Sequence, residues 1–136
     1  MSLLKILRST CNEILLDTHA ILWYAQGNTE LSENARSIME SEDCFYSIAS
    51  LWEIAIKQKL GKLNGSLTTP ELDELCKEAG FIKIPTNSSH IEKTKTLDFI
   101  YRDPFDRLLI AIAQSESFTI ITRDTIIPQY DVKTVW

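Results

Sequence analysis

Four carboxylates stand beside apolar stretches, where an uncompensated charge costs several kcal/mol to desolvate. Asp17 ends the run Ile14-Leu15-Leu16, and Asp124 comes shortly after Thr119-Ile120-Ile121-Thr122. Asp106 precedes the stretch Leu108 to Ala113, and Glu53 lies inside Leu51-Trp52-Glu53-Ile54-Ala55-Ile56. Local sequence does not supply each of them with its own cation. The economical explanation is that the four converge and share a divalent metal, whose charge offsets theirs.

Each acid also has a purely structural reading. Asp17 can cap the helix that follows it. Asp103 and Asp106 flank Pro104-Phe105 at a helix start, where an N-cap and a first-turn acid are both common. The apolar character of Leu108 to Ala113 favours a buried helix, whose first turn then faces the sheet edge rather than bulk water. Glu53 has Lys57 one helical turn later, a favourable pair on an exposed face. His19 and His90 are far apart in sequence, and neither is assigned a role as a base. Trp23, Trp52 and Trp136 read as core or interface packing. Cations close to the four acids in sequence include Arg107, Arg123, Lys57, Lys59 and Lys62. No G-x-S-x-G, P-loop or G-x-G-x-x-G occurs, so serine hydrolases, P-loop enzymes and dinucleotide enzymes are unsupported.

The elements that must hold these residues follow from periodicity and punctuation. Strands are expected at Glu13 to Asp17, Cys44 to Ser47, Phe81 to Ile84 and Phe118 to Thr122, with a short fifth at Val132 to Val135. Helices are expected over Thr18 to Ala25, Leu31 to Ser41, Ser50 (as cap) to Leu60, Pro70 to Ala79 and Ser89 to Leu97. A last helix starts at Asp103-Pro104 and runs to about Ser115. Gly61 and Gly80 close two of them. Strands alternating with helices imply a parallel sheet covered on both faces. Ligands of such sheets bind outside the carboxyl ends of the strands. Asp17 and Asp124 both lie at carboxyl ends, so the topology brings these two to one edge.

Bulk properties narrow the class. The chain has 136 residues, 44% hydrophobic and 24% charged, in the range of one ordinary globular domain. No apolar stretch is long enough for a membrane span, and residues 1–13 lack the features of a secretory signal. Cys11, Cys44 and Cys76 are odd in number and widely spaced, which fits a reduced, cytoplasmic setting. The net charge of −5 argues against a surface that is basic overall, although an acidic metal site contributes to that charge.

In combination the blocks are more specific than their parts. They are Leu16-Asp17-Thr18-His19-Ala20-Ile21-Leu22-Trp23, Ser47-Ile48-Ala49-Ser50-Leu51-Trp52-Glu53-Ile54-Ala55-Ile56-Lys57, Arg102-Asp103-Pro104-Phe105-Asp106-Arg107-Leu108-Leu109 and Ile121-Thr122-Arg123-Asp124. This pattern resembles the PIN-domain family, in particular the VapC-like toxins of bacterial type II toxin–antitoxin systems, over about residues 14–136. The resemblance implies a three-layer α/β/α sandwich around a parallel sheet of four to five strands, forming a single domain over residues 1–136. Residues 1–12 precede the point at which such proteins commonly begin, as an N-terminal extension.

The resemblance further implies that Asp17, Glu53, Asp106 and Asp124 bind Mg²⁺ or Mn²⁺ and cut single-stranded RNA, with Asp103 as an additional helper. Oxygen donors suit these hard cations better than zinc. A small antitoxin protein and a homodimer are the implied partners, with no membrane. The competing expectation is a non-catalytic acidic α/β module that binds RNA or signals. A phosphoacceptor signalling domain needs paired acids after the first strand and a late strand-end Lys, whereas this chain has the single Asp17 and Thr122-Arg123-Asp124.

Overall fold

The computed structural model describes residues 13–63 and 67–136. The extension read over residues 1–12 lies outside the described residues, as do three residues of the loop before Thr69. Five parallel strands form one sheet in the order β3-β2-β1-β4-β5: β1 Glu13–Leu16, β2 Asp43–Ser47, β3 Ile82–Ile84, β4 Thr119–Ile121 and β5 Lys133–Val135. β1 lies at the centre, which is why its residues Ile14, Leu15 and Leu16 are all buried and read as an unbroken apolar run.

Six helices of the described residues connect the strands: α1 Thr18–Gln26, α2 Glu33–Ser41, α3 Ile48–Lys59, α4 Thr69–Glu78, α5 Ser88–Thr94 and α6 Pro104–Glu116. Strand side chains alternate between faces, and they divide the core in two. Ile14, Leu16, Cys44 and Tyr46 pack with residues of α1 to α4. Leu15 and Ile120 pack with Leu97 and the buried run Leu109 to Ala113 of α6 on the other face. The result is the expected three-layer α/β/α sandwich, with the fifth strand present.

Some boundaries differ from the sequence reading. Helix α3 begins at Ile48, because the hydroxyl of Ser47, the last residue of β2, accepts from Ala49 N at 3.1 Å and caps it. Ser50 is instead buried inside the first turn. Helix α4 is started by a capping box between Thr68 and Glu71. Helix α5 is capped by Asn87 and ends at Thr94, short of Leu97. The single turn of 3₁₀ helix at Ile127–Gln129 has no apolar period long enough to be read from sequence. Gly61 and Gly80 do follow their helices, with left-handed φ of 69° and 84°.

Candidate active site

β1 and β4 end side by side, with Leu16 in register with Ile121. One more ladder bond, from Asp17 N to Ile121 O at 3.3 Å, carries the pairing to the first acid. Asp17 then turns the chain into α1 and caps it, its Oδ1 accepting from Ala20 N at 2.7 Å. The structural reading of Asp17 is therefore correct as far as it goes, and the same side chain also faces the cavity described below. Asp103 likewise caps α6, accepting from Phe105 N at 2.8 Å and Asp106 N at 3.3 Å. This cap sets the first turn of α6, and with it Asp106, at the carboxyl edge of the sheet.

Asp17, Glu53, Asp103, Asp106 and Asp124 all line one cavity of about 120 Å³, together with Thr18, His19, Lys57 and Tyr101. All five acids singled out in the sequence thus share a single pocket. Glu53 and Lys57 form the anticipated pair, Nζ to Oε2 at 2.9 Å. It does not lie on an exposed face, because Glu53 is only 4% exposed. The turn of α3 that carries the pair packs against the start of α1. There Thr18 Oγ1 donates to Glu53 Oε1 at 2.6 Å.

Asp124 is the most firmly held of the acids. Its Oδ1 accepts from Ile126 N at 2.6 Å and Ile127 N at 3.0 Å, and its Oδ2 accepts from the Tyr101 hydroxyl at 2.6 Å. Burial works against its charge, but the Tyr101 hydroxyl, the two N–H groups and nearby His19 together hold its carboxyl below the usual value. Asp17 goes the other way. Burial pushes it up, against hydrogen bonds from Thr122 and Ala20. Asp106 is pushed up to about 7 by burial first, then by the charges of Asp103, Glu53, Asp124 and Asp17. Burial raises Asp106 and Asp17, like charges add to it at Asp106, and hydrogen bonds to the charged form outweigh it at Asp124.

These residues fit a divalent cation in donor chemistry and in charge. Every acidic donor is a carboxylate oxygen, the preference of Mg²⁺ and Mn²⁺. The strain expressed at Asp106 is what a nearby double positive charge relieves. Among the described residues no three acids are already gathered into a ligating group. Ala20 N, Thr18, Lys57, Tyr101, Ile126 N and Ile127 N each engage a carboxylate oxygen of these acids.

The cations flanking the acids divide sharply. The Arg107 guanidinium is consumed by backbone: Nη1 donates to Asp98 O and Tyr101 O, and Nη2 to Thr94 O and Leu97 O, at 3.0–3.2 Å. It closes the end of α5 and fixes the loop that carries Tyr101 and Asp103. Arg123 lies over the Trp23 ring and pairs with Glu30. Lys57 alone among the five flanking cations lines the cavity. Of the tryptophans, Trp52 is outside the core, being 63% exposed, with Phe105 edge-on at 5.3 Å.

Thr18 and Tyr101 were not legible as site residues. For Thr18 the signal was its position directly after a strand-end acid. For Tyr101 the sequence carries none, since its partner is 23 positions away.

Residues 14–133 match the family model of the PIN domain. The fold is similar to FitAcB from Neisseria gonorrhoeae, with a TM-score of 0.62 and 21% identity over 90% of this chain and 96% of that one. It is similar to a toxin–antitoxin complex from Klebsiella pneumoniae, with a TM-score of 0.62 and 19% identity over 90% and 96% of the two chains. VapBC2 from Rickettsia felis, bound to a DNA fragment from its promoter, gives a TM-score of 0.67 and 13% identity over 91% and 98%. No curated protein matches the chain in sequence. No helix among the described residues is long and apolar enough to cross a membrane. PIN domains are generally nucleases and typically use divalent metal ions. With 120 consecutive positions matched and the sheet order, helix layers and acid-lined edge in place, this chain belongs to the PIN domain family.

Proposed function

We propose that the protein is a metal-dependent endoribonuclease, the toxin of a toxin–antitoxin pair, cutting phosphodiester bonds in single-stranded RNA with Mg²⁺ or Mn²⁺. The observation that carries this reading is the convergence of Asp17, Glu53, Asp103, Asp106 and Asp124 on one cavity at the carboxyl edge of the sheet. Asp17, Glu53, Asp106 and Asp124 would hold the ion, with Asp103 beside them. A divalent ion bound there supplies Lewis-acid activation of water and neutralises charge on the phosphate. The likeness to toxin–antitoxin structures supports an antitoxin protein as partner. The reading includes a homodimer acting in the cytoplasm.

The chain's own residues do the remaining work. Thr18 fixes Glu53, and Tyr101 with the Ile126 and Ile127 N–H groups fixes Asp124. Such fixed oxygens do not need to reorganise during the reaction. Asp17 or Asp106 orients the attacking water. Burial and the neighbouring carboxylates push the Asp106 carboxyl up to about 7, a shift that a divalent ion among the acids would oppose.

Incubation of the purified protein with labelled single-stranded RNA tests this, with Mg²⁺ and then with EDTA. Cuts that need Mg²⁺ and vanish in Asp17→Asn are expected. Asn keeps the Oδ1 acceptor for Ala20 N, so the α1 cap and the fold survive the change. Undiminished Mg²⁺-dependent cleavage by Asp17→Asn removes Asp17 from the site. RNA binding without cuts supports the acidic module instead.

A further inference from the structure

Glu53 has both carboxylate oxygens engaged, and one of the partners is a cation. Lys57 Nζ lies 2.9 Å from Oε2, and among the described residues lining the cavity Lys57 is the sole lysine or arginine. Its side chain is 29% exposed, so a route to solvent exists at the rim. Glu53 belongs to the acids assigned above to the divalent ion. An ammonium and a doubly charged ion beside the same buried carboxylate repel each other, so binding of the ion weakens the Lys57–Glu53 pair. The lysine stem has four flexible carbons and a compact charge, whereas the backbone of Lys57 is fixed within α3. Displaced from Glu53, the ammonium therefore stays at the cavity mouth.

Neither Arg107 nor Arg123 lines the cavity, and both are engaged elsewhere. Arg107 is spent on four backbone carbonyls, and Arg123 is stacked on Trp23 and paired with Glu30. We propose that Lys57 exchanges partners during the reaction. It is the counter-ion of Glu53 until a divalent cation stands among the acids, and it then turns to a non-bridging oxygen of the RNA phosphodiester. This inference rests on the nuclease reading and adds a substrate contact to it. It also makes Lys57 a competitor of the metal, and that consequence is measurable without any cleavage.

The test compares wild type, Lys57→Met and Lys57→Arg. Mn²⁺ binding to the RNA-free protein is followed by the electron paramagnetic resonance of free Mn²⁺. Single-turnover cleavage of a mixed-sequence oligoribonucleotide is measured against RNA concentration and salt. Lys57→Met, which keeps the stem and loses the charge, is expected to bind Mn²⁺ about tenfold tighter. Its half-saturating RNA concentration is expected to rise about tenfold, with a salt dependence shallower by about 0.7, the contribution of one phosphate contact on a single strand. Lys57→Arg retains the charge and is expected to restore both toward wild type. Mn²⁺ affinity that is unchanged or weaker in Lys57→Met overturns the exchange at Glu53. RNA saturation and salt slope that do not move overturn the phosphate contact. A wild-type protein that binds no Mn²⁺ and cuts no RNA defeats the nuclease reading itself, a result distinct from either of these.

Discussion

Thr18 and Glu53, 35 positions apart, are joined by a 2.6 Å hydrogen bond from hydroxyl to carboxylate inside the acid-lined cavity. The bond ties the first turn of α1 to the second turn of α3. It also aims one Glu53 oxygen away from free rotation. Outer partners of metal-binding carboxylates commonly matter by 10- to 100-fold.

Thr18→Val keeps the shape and removes the donor. It is expected to lower Mg²⁺-dependent cleavage by about 10- to 100-fold, with a matching rise in the Mg²⁺ concentration needed. Thr18→Ser should retain most activity. Metal titrations of the cleavage rate for the three proteins check this; equal rates for Val and Thr would remove Thr18 from the site.

Asp106 sets a pH dependence of stability with a definite sign. Its carboxyl is raised from 3.8 to about 7, so between those values the folded protein binds more protons than the unfolded chain. Stability from this group is therefore fully present below 3.8 and is lost as pH rises through about 7. In EDTA, urea midpoints of wild type relative to Asp106→Asn are expected to fall across that window. Mg²⁺ should flatten the difference. Asp106→Asn should also abolish cleavage while remaining folded.

Tyr101→Phe removes the hydroxyl from Asp124 Oδ2, leaving the two N–H donors on Oδ1. The carboxyl of Asp124 should rise from its lowered position, because the leading favourable contribution to its charge is gone. Cleavage is expected to drop by about tenfold, with the acid limb of its pH profile displaced upward. A pH–rate profile identical to wild type would show that the hydroxyl does not tune the site.

Arg107→Ala should act on stability rather than on RNA contact. The guanidinium donates to four backbone carbonyls of residues 94–101; without it Thr94 O keeps Leu97 N and Asp98 O keeps the Tyr130 hydroxyl, while Leu97 O and Tyr101 O lose their donor. A destabilisation of about 2–4 kcal/mol is expected by chemical denaturation. RNA affinity measured in the folded fraction should keep the wild-type salt slope.

The chain by itself determined the layer order and the edge on which the chemistry lies. Apolar strands alternating with capped helices leave few topologies, and Asp17 and Asp124 at strand ends must then meet. Helix starts were legible where one residue decides them, as at Asp103-Pro104, because capping is a local matter. Where two hydroxyls compete, as Ser47 and Ser50 do before α3, the strand's exact end decides, and only pairing in the sheet sets that end. Glu53 shows the same divide more sharply. Its Lys57 partner four residues on was readable, but whether the pair faced water or the other acids depended on which side of α3 packs against α1. The partners of the acids were beyond local reading: Thr18 for Glu53 and Tyr101 for Asp124 are contacts between segments far apart in the chain, made by helix packing and by a loop that Arg107 and Tyr130 hold in place. Spacing announces periodic faces and caps. It does not announce which side chains those faces bring within hydrogen-bond reach, and here that reach determines how each of the acids is held.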